Sequence, residues 1–593
     1  MRKNRRIAAL LTAGLLALTP CVSAGMMVAD ATSITINKVA NDSATHGYKA
    51  YPIITGTLAS DGATLTAMQW NSALNRTNLE TALKAFDSTT FGSFTATTTP
   101  DDFAVMVKDY ANMEGLAKVF NDEAILPKTA GTEFTGTGPY TYTAENKDGW
   151  YLIRDESAAG NIKSANILEV RGDSPAITPK FSLPTLEKKI TDADGSNPTD
   201  ANTAAIGDLV YYKLSSNVPE LTGYDHYYFI VNDTLSPGLT FNPDSMQVKI
   251  GDLTITKDED AHTESENQKY YIVTEDVDDS TKIKVVFENF LETVKANNIA
   301  KDTAVTITYN ATLNEDAEID PTKGNPNTAN LTYSNNPNFE ETGTPDDKPD
   351  EPPTTPPGTP SDVVGETVED KVNTFTTALR IKKVDQDGQP FAQGVEFTLT
   401  GSKLNKVKKV SGATFTQDDE NGTYWKLNTG AYTTTDPETS GLSDAAKAKY
   451  ANDGHKYKKV EATASVVPAS STAITSTVDE EGYITFYGLN AGEYTLEETD
   501  YPDGYNKAET ETFTISTSDI DEESVSWACE DNENIAFNDD VNEFQIQIVN
   551  KKGNTLPTTG GVGTKLFYLF GGMLAVGSGV VLVTKKRMSY NEK

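Results

Sequence analysis

Short segments in which apolar and polar residues alternate dominate the chain between its two ends. They are rich in Thr, Val, Ile and Tyr and are bounded by Gly, Asn, Asp and Pro, as at residues 33–39, 303–313 and 378–384. Alternation with a period of two is typical of strands that bury one face, so the pattern predicts a mainly β protein with antiparallel sheets. Helical spacing is concentrated near the start, at residues 77–86 and 103–120. We therefore expect some helix in the first domain and strands elsewhere.

The length of the chain and the breaks in this pattern indicate several domains. A chain of 593 residues is too long for one hydrophobic core. The clearest break is at residues 341–361, where Pro, Thr, Asp and Glu replace apolar residues and predict an extended linker. A second boundary lies near residues 179–184. We expect domains at residues 25–180, 181–340 and 362–555.

The C-terminal end has the layout of a sorting signal. A Leu-Pro-Thr-Thr-Gly motif precedes an apolar run at residues 566–583 and a basic cluster at residues 585–587. At about 1.5 Å per residue the apolar run is long enough to span a membrane as a helix, and the basic cluster fixes that end on the cytoplasmic side. The motif consists of Leu556, Pro557, Thr558, Thr559 and Gly560. Residues 556–593 are therefore expected to hold the chain in the membrane transiently.

The N-terminal end predicts secretion. Four of the first six residues are basic, residues 7–18 are apolar, and residues 22–24 (Val-Ser-Ala) offer a signal-peptidase site. Residues 1–24 are expected to be a signal peptide, whose removal discards Cys21 and leaves Cys529. A secreted chain with one thiol has no internal disulfide, so we expect another kind of stabilisation outside the cell.

Composition narrows the functional classes further. The net charge of −36 argues against nucleic-acid binding, because nucleic acid would repel this polyanion. Four scattered His and one remaining Cys predict no metal site, and no cofactor is expected. No nucleophile–base spacing or Gly-rich phosphate loop indicates an enzyme. The Arg171-Gly172-Asp173 triplet is integrin-like, but such triplets arise by chance in turns.

Blocks in all three domains resemble those of sortase-assembled backbone pilins of Gram-positive bacteria, of the FimA or SpaA type. The blocks lie at residues 46–53, 149–153, 206–212, 233–241, 381–385 and 494–505. The last of them looks like the E-box of a CnaB-type domain. The resemblance implies a mainly β fold of tandem immunoglobulin-like or CnaB-type β-sandwich domains, with some helix in the N-terminal domain and a C-terminal transmembrane sorting segment.

In this family a sortase cuts between the Thr and Gly of the motif, here Thr559 and Gly560, and passes the Thr carbonyl to an amine of the next subunit. The resemblance implies that Lys180 supplies that amine. It stands in an Ile-Thr-Pro-Lys segment at the first domain boundary, with Thr178 where many relatives have Tyr. Pro179 would hold the segment extended and present the amine to solvent.

The function implied by the resemblance is that of a major shaft subunit in a covalently polymerised pilus, secreted, anchored to the cell wall and displayed on the cell surface. The implied partners are pilus-assembly and housekeeping sortases, identical subunits, ancillary pilins and peptidoglycan. The rival interpretation is a monomeric wall-anchored adhesin or ancillary pilin that binds a host or matrix ligand. Such a protein needs the sorting signal but no acceptor lysine.

The resemblance also implies internal isopeptide bonds between Lys and Asn, each promoted by a nearby Asp or Glu. Burial of all three residues explains the chemistry, because an apolar site favours the neutral forms of an amine and a carboxyl. The neutral amine can then attack the Asn side-chain carbon while the acid polarises the amide, and ammonia leaves.

Strand alternation selects the residues in the third domain, because side chains two apart share a face. Lys383 shares a face with apolar neighbours, whereas Lys382 does not. Glu498 is favoured over Glu497 for the same reason, and Asn550 completes the set on the last strand. These three choices agree with the family motif.

In the second domain, alternation favours Lys188 over Lys189 as the amine. Asn327 aligns inward with apolar residues of the last strand, but Asn335 lies on the same face. The resemblance places the reactive Asn first, at Asn327, and the choice between the two stays open.

The acid of the second domain also has two candidates. Asp233 shares a face with Phe229 and Val231, while Asp208 makes an equally good pattern with Ile206 and Val210. The resemblance favours Asp233, and Asp208 stays open as the alternative.

Overall fold

The computed structural model describes residues 33–552 and Ser578, apart from short internal segments. Those segments are residues 40–43, 61–63, 143–147, 159–160, 165–166, 171–175, 259–267, 339–362, 392–394, 412–413, 461–462, 469–472 and 480. Several predicted features therefore lie outside the described residues: the signal peptide, the Arg171-Gly172-Asp173 triplet, the linker, the sorting motif and, except for Ser578, the C-terminal apolar run. Within the described residues, no helix is long and apolar enough to cross a membrane.

The protein is mainly β, as the alternation predicts, and the chain forms two compact units. One unit consists of Met1–Ala158 and Ala165–Pro179, and the other of Ala159–Ser164 and Lys180–Lys593. The division between Pro179 and Lys180 falls at the predicted boundary near residues 179–184. The three-domain division of the sequence remains a prediction, since the second and third predicted domains lie in one compact unit.

The first unit combines β-strands with helices. Its strands are β1 (Ile34–Ile36), β2 (Tyr48–Leu58), β3 (Leu65–Trp70), β4 (Thr132–Glu133), β5 (Tyr140–Tyr142), β6 (Asp148–Asp155) and β7 (Ile167–Val170). Its helices are α1 (Arg76–Phe86), α2 (Ser88–Phe91), α3 (Pro100–Val107) and α4 (Met113–Asn121). One sheet has the order β3-β2-β6-β7, and β1 pairs with β5. Aromatic and aliphatic side chains of the helices form a core against this sheet.

The predicted helical stretch at residues 103–120 is two helices in the structure, α3 and α4. Pro100 begins α3, where its missing N–H costs nothing. The side chain of Asn112 accepts a hydrogen bond from the Gly115 N–H and so begins α4 as its N-cap. The apolar spacing continues across the break, which is why periodicity alone did not reveal it.

The second unit begins with a β-sandwich. Its elements are β8 (Glu187–Thr191), β9 (Ala201–Thr203), β10 (Leu209–Asn217), β11 (Phe229–Leu235), β12 (Leu239–Ile250), β13 (Leu253–Lys257), β14 (Lys269–Val277), β15 (Ser280–Phe287), α5 (Phe290–Ala296), β16 (Ala304–Leu313) and β17 (Asn325–Ser334). One sheet of the sandwich has the strand order β8-β10-β16-β12, and the facing sheet has the order β14-β15-β11-β17. The strand β13 pairs with both β12 and β14 and so connects the two sheets. We call this the first sandwich.

Two further strands extend the first sandwich beyond the predicted linker. They are β18 (Val364–Glu366) and β19 (Asp370–Phe375), and both pair antiparallel with β17. Only Thr376, which is buried, separates β19 from the next strand. The chain therefore returns to the same sheet after residues 339–362 and passes directly into the next sandwich.

The second sandwich contains the remaining elements. They are β20 (Thr377–Asp385), β21 (Glu396–Gly401), β22 (Lys406–Ser411), β23 (Thr414–Gln417), β24 (Trp425–Lys426), β25 (Tyr432–Thr433), α6 (Asp444–Lys447), β26 (Tyr457–Val460), β27 (Thr463–Pro468), β28 (Ala473–Thr477), β29 (Tyr483–Leu489), β30 (Gly492–Asp500), β31 (Glu511–Ser518), β32 (Ser526–Ala528), β33 (Ile535–Asn538) and β34 (Glu543–Asn550). Its two large sheets have the orders β27-β22-β29-β20-β34-β33 and β28-β21-β30-β31-β32, and β23 pairs with β26 and β24 with β25 in two small sheets. Their inner faces enclose one hydrophobic core.

Candidate cross-link sites

Lys188 points into the core of the first sandwich from the edge strand β8. It pairs with Leu214 on β10, and its side chain is completely buried, whereas that of Lys189 is partly exposed. The inward face of β8 is the one that alternation selects. A buried ammonium requires a compensating partner, which the facing sheet supplies.

Asp233 on β11 is that partner. Its two carboxylate oxygens each lie 2.7 Å from the Lys188 Nζ, and the carboxylate is almost completely buried. Burial lowers the pKa of Lys188 from its usual value, although the Asp233 charge opposes this effect. The lowered pKa increases the fraction of Lys188 in the neutral form, which is the nucleophilic form of the amine.

Asn327 on β17 reaches this pair through a tyrosine. Its Nδ2 donates to the Tyr309 hydroxyl at 2.7 Å, and that hydroxyl donates to Asp233 Oδ2 at 2.6 Å. Lys188 Nζ also donates to the Tyr309 hydroxyl, at 3.1 Å. The Oδ1 of Asn327 is buried without a hydrogen-bond partner among the described residues. One hydroxyl therefore contacts the amine, the acid and the amide of the site.

The alternative residues lie elsewhere. Asp208 precedes β10 and accepts hydrogen bonds from the Ala205 N–H at 2.8 Å and from Asn405 Nδ2 at 3.2 Å. Because Leu214 is the residue opposite Lys188, Asp208 is displaced along the strand by roughly 20 Å. Asn335 follows the end of β17, and its N–H donates to Val363. The structure brings Asp233 and Asn327, rather than these two, to Lys188.

Two contributors to this site were missed by sequence reasoning. Tyr309 lies on the inward face of β16, where a buried aromatic residue is typical of any hydrophobic core. Asp370 on β19 accepts a hydrogen bond from the Lys188 backbone N–H at 2.6 Å. The alternation of β16 was the only available signal for Tyr309, and nothing local indicated Asp370.

The second sandwich places Lys383 and Asn550 on adjacent parallel strands, β20 and β34. In the register, Lys383 lies opposite Ile548 and Asp385 lies opposite Asn550. The two side chains therefore share a face two positions apart, and both are completely buried.

Glu498 reaches both residues from β30 in the facing sheet. Its Oε1 is 3.1 Å from the Lys383 Nζ, and its Oε2 accepts from Asn550 Nδ2 at 3.1 Å. The Ala508 N–H also donates to Oε2, at 2.6 Å, and fixes the carboxylate. Burial lowers the pKa of Lys383, with Glu498 opposing the shift. As in the first sandwich, the Oδ1 of the asparagine is buried without a partner among the described residues.

A third buried polar cluster lies in the first unit. His46 Nδ1 contacts both Asp155 Oδ2, at 2.9 Å, and the Ser157 hydroxyl, at 3.1 Å. Since both contacts use the same nitrogen, the cluster lacks the geometry of a Ser-His-Asp relay. In the described part of this unit the buried basic and acidic side chains are Arg154, Asp155 and the imidazole of His46, and no lysine is among them.

Lys180 is exposed immediately after the last residue of the first unit. The preceding segment is held by backbone hydrogen bonds of Ile177 with Thr35 and Asn37, and Pro179 is buried. The following Phe181 is buried as well. The Lys180 side chain is thus exposed between two buried neighbours. No group of three or more His, Cys, Asp and Glu side chains with metal-binding geometry occurs in the described part of the chain.

Three family models match successive parts of the chain. Residues 206–337 match the Gram-positive pilin backbone subunit 2, Cna-B-like domain, and residues 436–528 match the SpaA prealbumin-like fold domain. Residues 548–589 match the LPXTG cell wall anchor motif. The chain thus has a part that matches a Gram-positive pilin backbone domain, a part that matches a SpaA domain and a part that matches a wall-anchor motif, in that order. It is accordingly a surface protein anchored to the cell wall.

One curated surface protein and two solved pilins are similar to the chain over most of its length. The trypsin-resistant surface T6 protein of Streptococcus pyogenes serotype M6 is 26% identical over 424 residues, which cover 69% of this chain and 70% of that protein. The solved T6 backbone pilin of that serotype is 18% identical, with a TM-score of 0.47 and 83% of each chain covered. The major pilin SpaA of Corynebacterium diphtheriae is 13% identical, with a TM-score of 0.40, covering 88% of this chain and all of that one.

Proposed function

We propose that this chain is the major shaft subunit of a covalently polymerised surface pilus. Sortase joins Thr559 of one subunit to Lys180 of the next, and ancillary pilins and peptidoglycan are joined by the same chemistry. The observation that carries the proposal is the order of the matched domains: a pilin backbone domain, a SpaA-type domain and a C-terminal wall anchor. The exposure of Lys180 between two buried neighbours supports its role as the acceptor.

Within each subunit, two isopeptide bonds join Lys188 to Asn327 and Lys383 to Asn550. In each reaction the neutral amine attacks the side-chain carbon of the asparagine, an amide bond forms, and the asparagine nitrogen leaves as ammonia. Buried acids within hydrogen-bonding distance of both amines support this assignment. Each bond closes a long loop and thus restricts unfolding, which supplies the stabilisation that a disulfide-free surface protein needs.

The polymer is tested by a denaturing-gel immunoblot of wall extracts from cells that also express the assembly sortase. The wild type should give a high-mass ladder, Lys180→Ala should lose it, and the exposed-lysine control Lys108→Ala should keep it. A ladder that persists in Lys180→Ala would refute this acceptor. A wild type without any ladder would instead favour a monomeric wall-anchored adhesin.

The internal bonds are tested by intact-protein mass measurement. The wild type should be lighter than its sequence mass by two ammonia molecules. Lys188→Ala and Lys383→Ala should each recover one of these losses relative to their own sequence mass. A single variant that still loses both would show that its lysine had been misassigned.

A further inference from the structure

We propose that Tyr309 is a catalytic residue of the cross-link in the first sandwich, where its hydroxyl carries a proton from Asp233 to the departing nitrogen of Asn327. This inference rests on the proposed Lys188–Asn327 bond and adds a fourth participant to it. The position of the hydroxyl between the acid and the amide is the observation on which it depends.

Proton balance requires such a connection. When Lys188 Nζ forms the new amide, it gives up one hydrogen, and the Nδ2 of Asn327 must gain one to leave as ammonia. One proton therefore moves from Nζ to Nδ2 during the reaction, and no oxidant or other reactant is involved. A group that contacts Nζ has to pass this proton to a group that contacts Nδ2.

The structure contains a continuous path for this transfer. Asp233 Oδ1 lies 2.7 Å from Nζ and accepts the proton there. Asp233 Oδ2 lies 2.6 Å from the Tyr309 hydroxyl, which in turn lies 2.7 Å from Nδ2. Among the described hydrogen bonds, Asn327 Nδ2 has Tyr309 and not Asp233 as its partner. Before the reaction Nδ2 donates to the hydroxyl and the hydroxyl donates to Asp233. Once attack has turned Nδ2 into an amine nitrogen with a free lone pair, both hydrogen bonds can reverse, and the hydroxyl accepts from the acid and donates to Nδ2 in one concerted step.

The surroundings keep the Tyr309 hydroxyl protonated. The side chain is buried, and burial beside the Asp233 charge raises its pKa well above the usual value of a tyrosine. A group that stays neutral can relay a proton but does not act as a base of its own. Its ring packs against those of Tyr212 and Phe241, so the position of the hydroxyl is fixed.

The second sandwich supplies a natural contrast. There Glu498 contacts the lysine with one oxygen and the asparagine nitrogen with the other, and no hydroxyl intervenes. Glutamate is one methylene longer than aspartate. We infer that the tyrosine hydroxyl spans the distance that the shorter acid leaves in the first sandwich.

The test is a time course of ammonia loss after a pulse of synthesis of the full chain, with the cross-linked peptides assigned by mass spectrometry. Tyr309→Phe retains the ring and removes only the hydroxyl. It should slow the Lys188–Asn327 bond by about 10²-fold or more, and it should leave the Lys383–Asn550 bond of the same molecule at its wild-type rate. The bond in the second sandwich is thus an internal control for synthesis and folding.

A second variant separates the relay from a structural role. In the Tyr309→Phe background, Asp233→Glu lengthens the acid toward Asn327 and should restore much of the lost rate. Formation of the first bond at the wild-type rate in Tyr309→Phe would overturn the proposal, as would an equal delay of both bonds or a failure of Asp233→Glu to restore it. If the wild type itself lacks the Lys188–Asn327 bond, the proposed cross-link is wrong, and this result is distinct from a failure of the Tyr309 relay.

Discussion

The two sandwiches assemble the same three kinds of residue from different sheets. In the first sandwich the amine lies on one sheet, while the acid and the amide lie on the other. In the second, the amine and the amide lie on adjacent parallel strands, and only the acid crosses from the facing sheet. The proposed bond therefore ties two sheets together in one case and the first and last strands of one sheet in the other.

This difference has a consequence for the acid. Glu498 faces two residues on neighbouring strands and can contact both directly. Asp233 must compensate an amine across the sandwich, and it makes its connection to the amide of its own sheet through Tyr309. The spacing of the three groups and the length of the acid therefore decide together which further residues a site needs.

The largest expected effect comes from removing an amine. Lys188→Ala prevents the first bond, which closes a loop longer than about 100 residues and so contributes about 5 kcal/mol. In the linked protein the Lys188 nitrogen is an amide, so the ion pair with Asp233 exists only in unlinked chains. Relative to an unlinked chain that keeps the lysine, Lys188→Ala leaves Asp233 buried without its cation and costs about 3 kcal/mol more. Denaturant unfolding should therefore show a loss of about 8 kcal/mol in the first sandwich, of which the missing bond accounts for about 5 kcal/mol.

The matched control for this variant is Asn327→Ala, which prevents the bond but keeps the ion pair. It should lose about 5 kcal/mol. The same pair of substitutions in the second sandwich, Lys383→Ala and Asn550→Ala, should give a similar difference. Equal losses in the two members of a pair would contradict the contribution assigned to the buried ion pair.

A smaller effect is expected from changing the length of the acid. Glu498→Asp withdraws the carboxyl from Asn550 at a site where no hydroxyl bridges the gap, so bond formation should slow by about 10²-fold. Asp233→Glu, with Tyr309 present, should slow the first bond by less than about tenfold. Time courses of ammonia loss measure both rates. If the two swaps had equal effects, acid length would not distinguish the sites.

The pH dependence of unlinked variants tests the buried amines. The pKa values of Lys188 and Lys383 are lowered in the folded state by burial. The unfolded chain therefore binds a proton that the folded one has lost, and stability rises with pH. Above about pH 10.4, the pKa of a lysine in the unfolded chain, the amine is neutral in both states and its burial costs the folded state no stability. As the pH falls from there toward the lowered pKa of the folded state, the free energy of unfolding decreases.

Unfolding of Asn327→Ala and Asn550→Ala at a series of pH values checks this sign. The slope should not exceed about 1.4 kcal/mol per pH unit for each lysine. Adding Lys383→Met to Asn550→Ala should abolish the part of the pH dependence of stability that Lys383 causes. A stability that falls with rising pH across this range would contradict the lowered pKa values.

The smallest effect concerns a contact that only the first site has. Asp370→Ala removes the acceptor of the Lys188 backbone N–H and should lower the stability of the first sandwich by about 1 kcal/mol. Glu369→Ala, the exposed neighbour, is the control and should change stability by less than about 0.5 kcal/mol. An equal loss of stability in both variants would show that the hydrogen bond between the Lys188 N–H and Asp370 has no specific effect.

Strand alternation predicted much of this arrangement because burial repeats every second residue. It selected Lys188 over Lys189 and Lys383 over Lys382, and in the structure both selected side chains are completely buried. The open choices, such as Asp233 or Asp208, needed the register between distant strands. That register depends on pairings across about a hundred residues, which no local pattern contains.

Other features were hidden for the same physical reason. Tyr309 looks like any inward aromatic residue until its hydroxyl is placed beside Asp233 and Asn327. The pairing of β19 with β17 brings Asp370 to Lys188 from beyond the predicted linker. Neither depends on local propensity. Both follow from tertiary packing, which overrides what a short window of sequence can indicate.

The pairing of β17 with β19 also determines where a stretched fibre can lengthen. With both proposed bonds in place, a pulling force enters at Lys188, crosses to Asn327, follows the chain to Lys383 and leaves through Asn550. Between the two bonds, the stretch from Asn327 to Lys383 carries the load without a covalent bypass. Its antiparallel strand pairs would open one after another, as in a zipper. Each subunit would therefore lengthen between two sandwiches that the proposed bonds keep from extending.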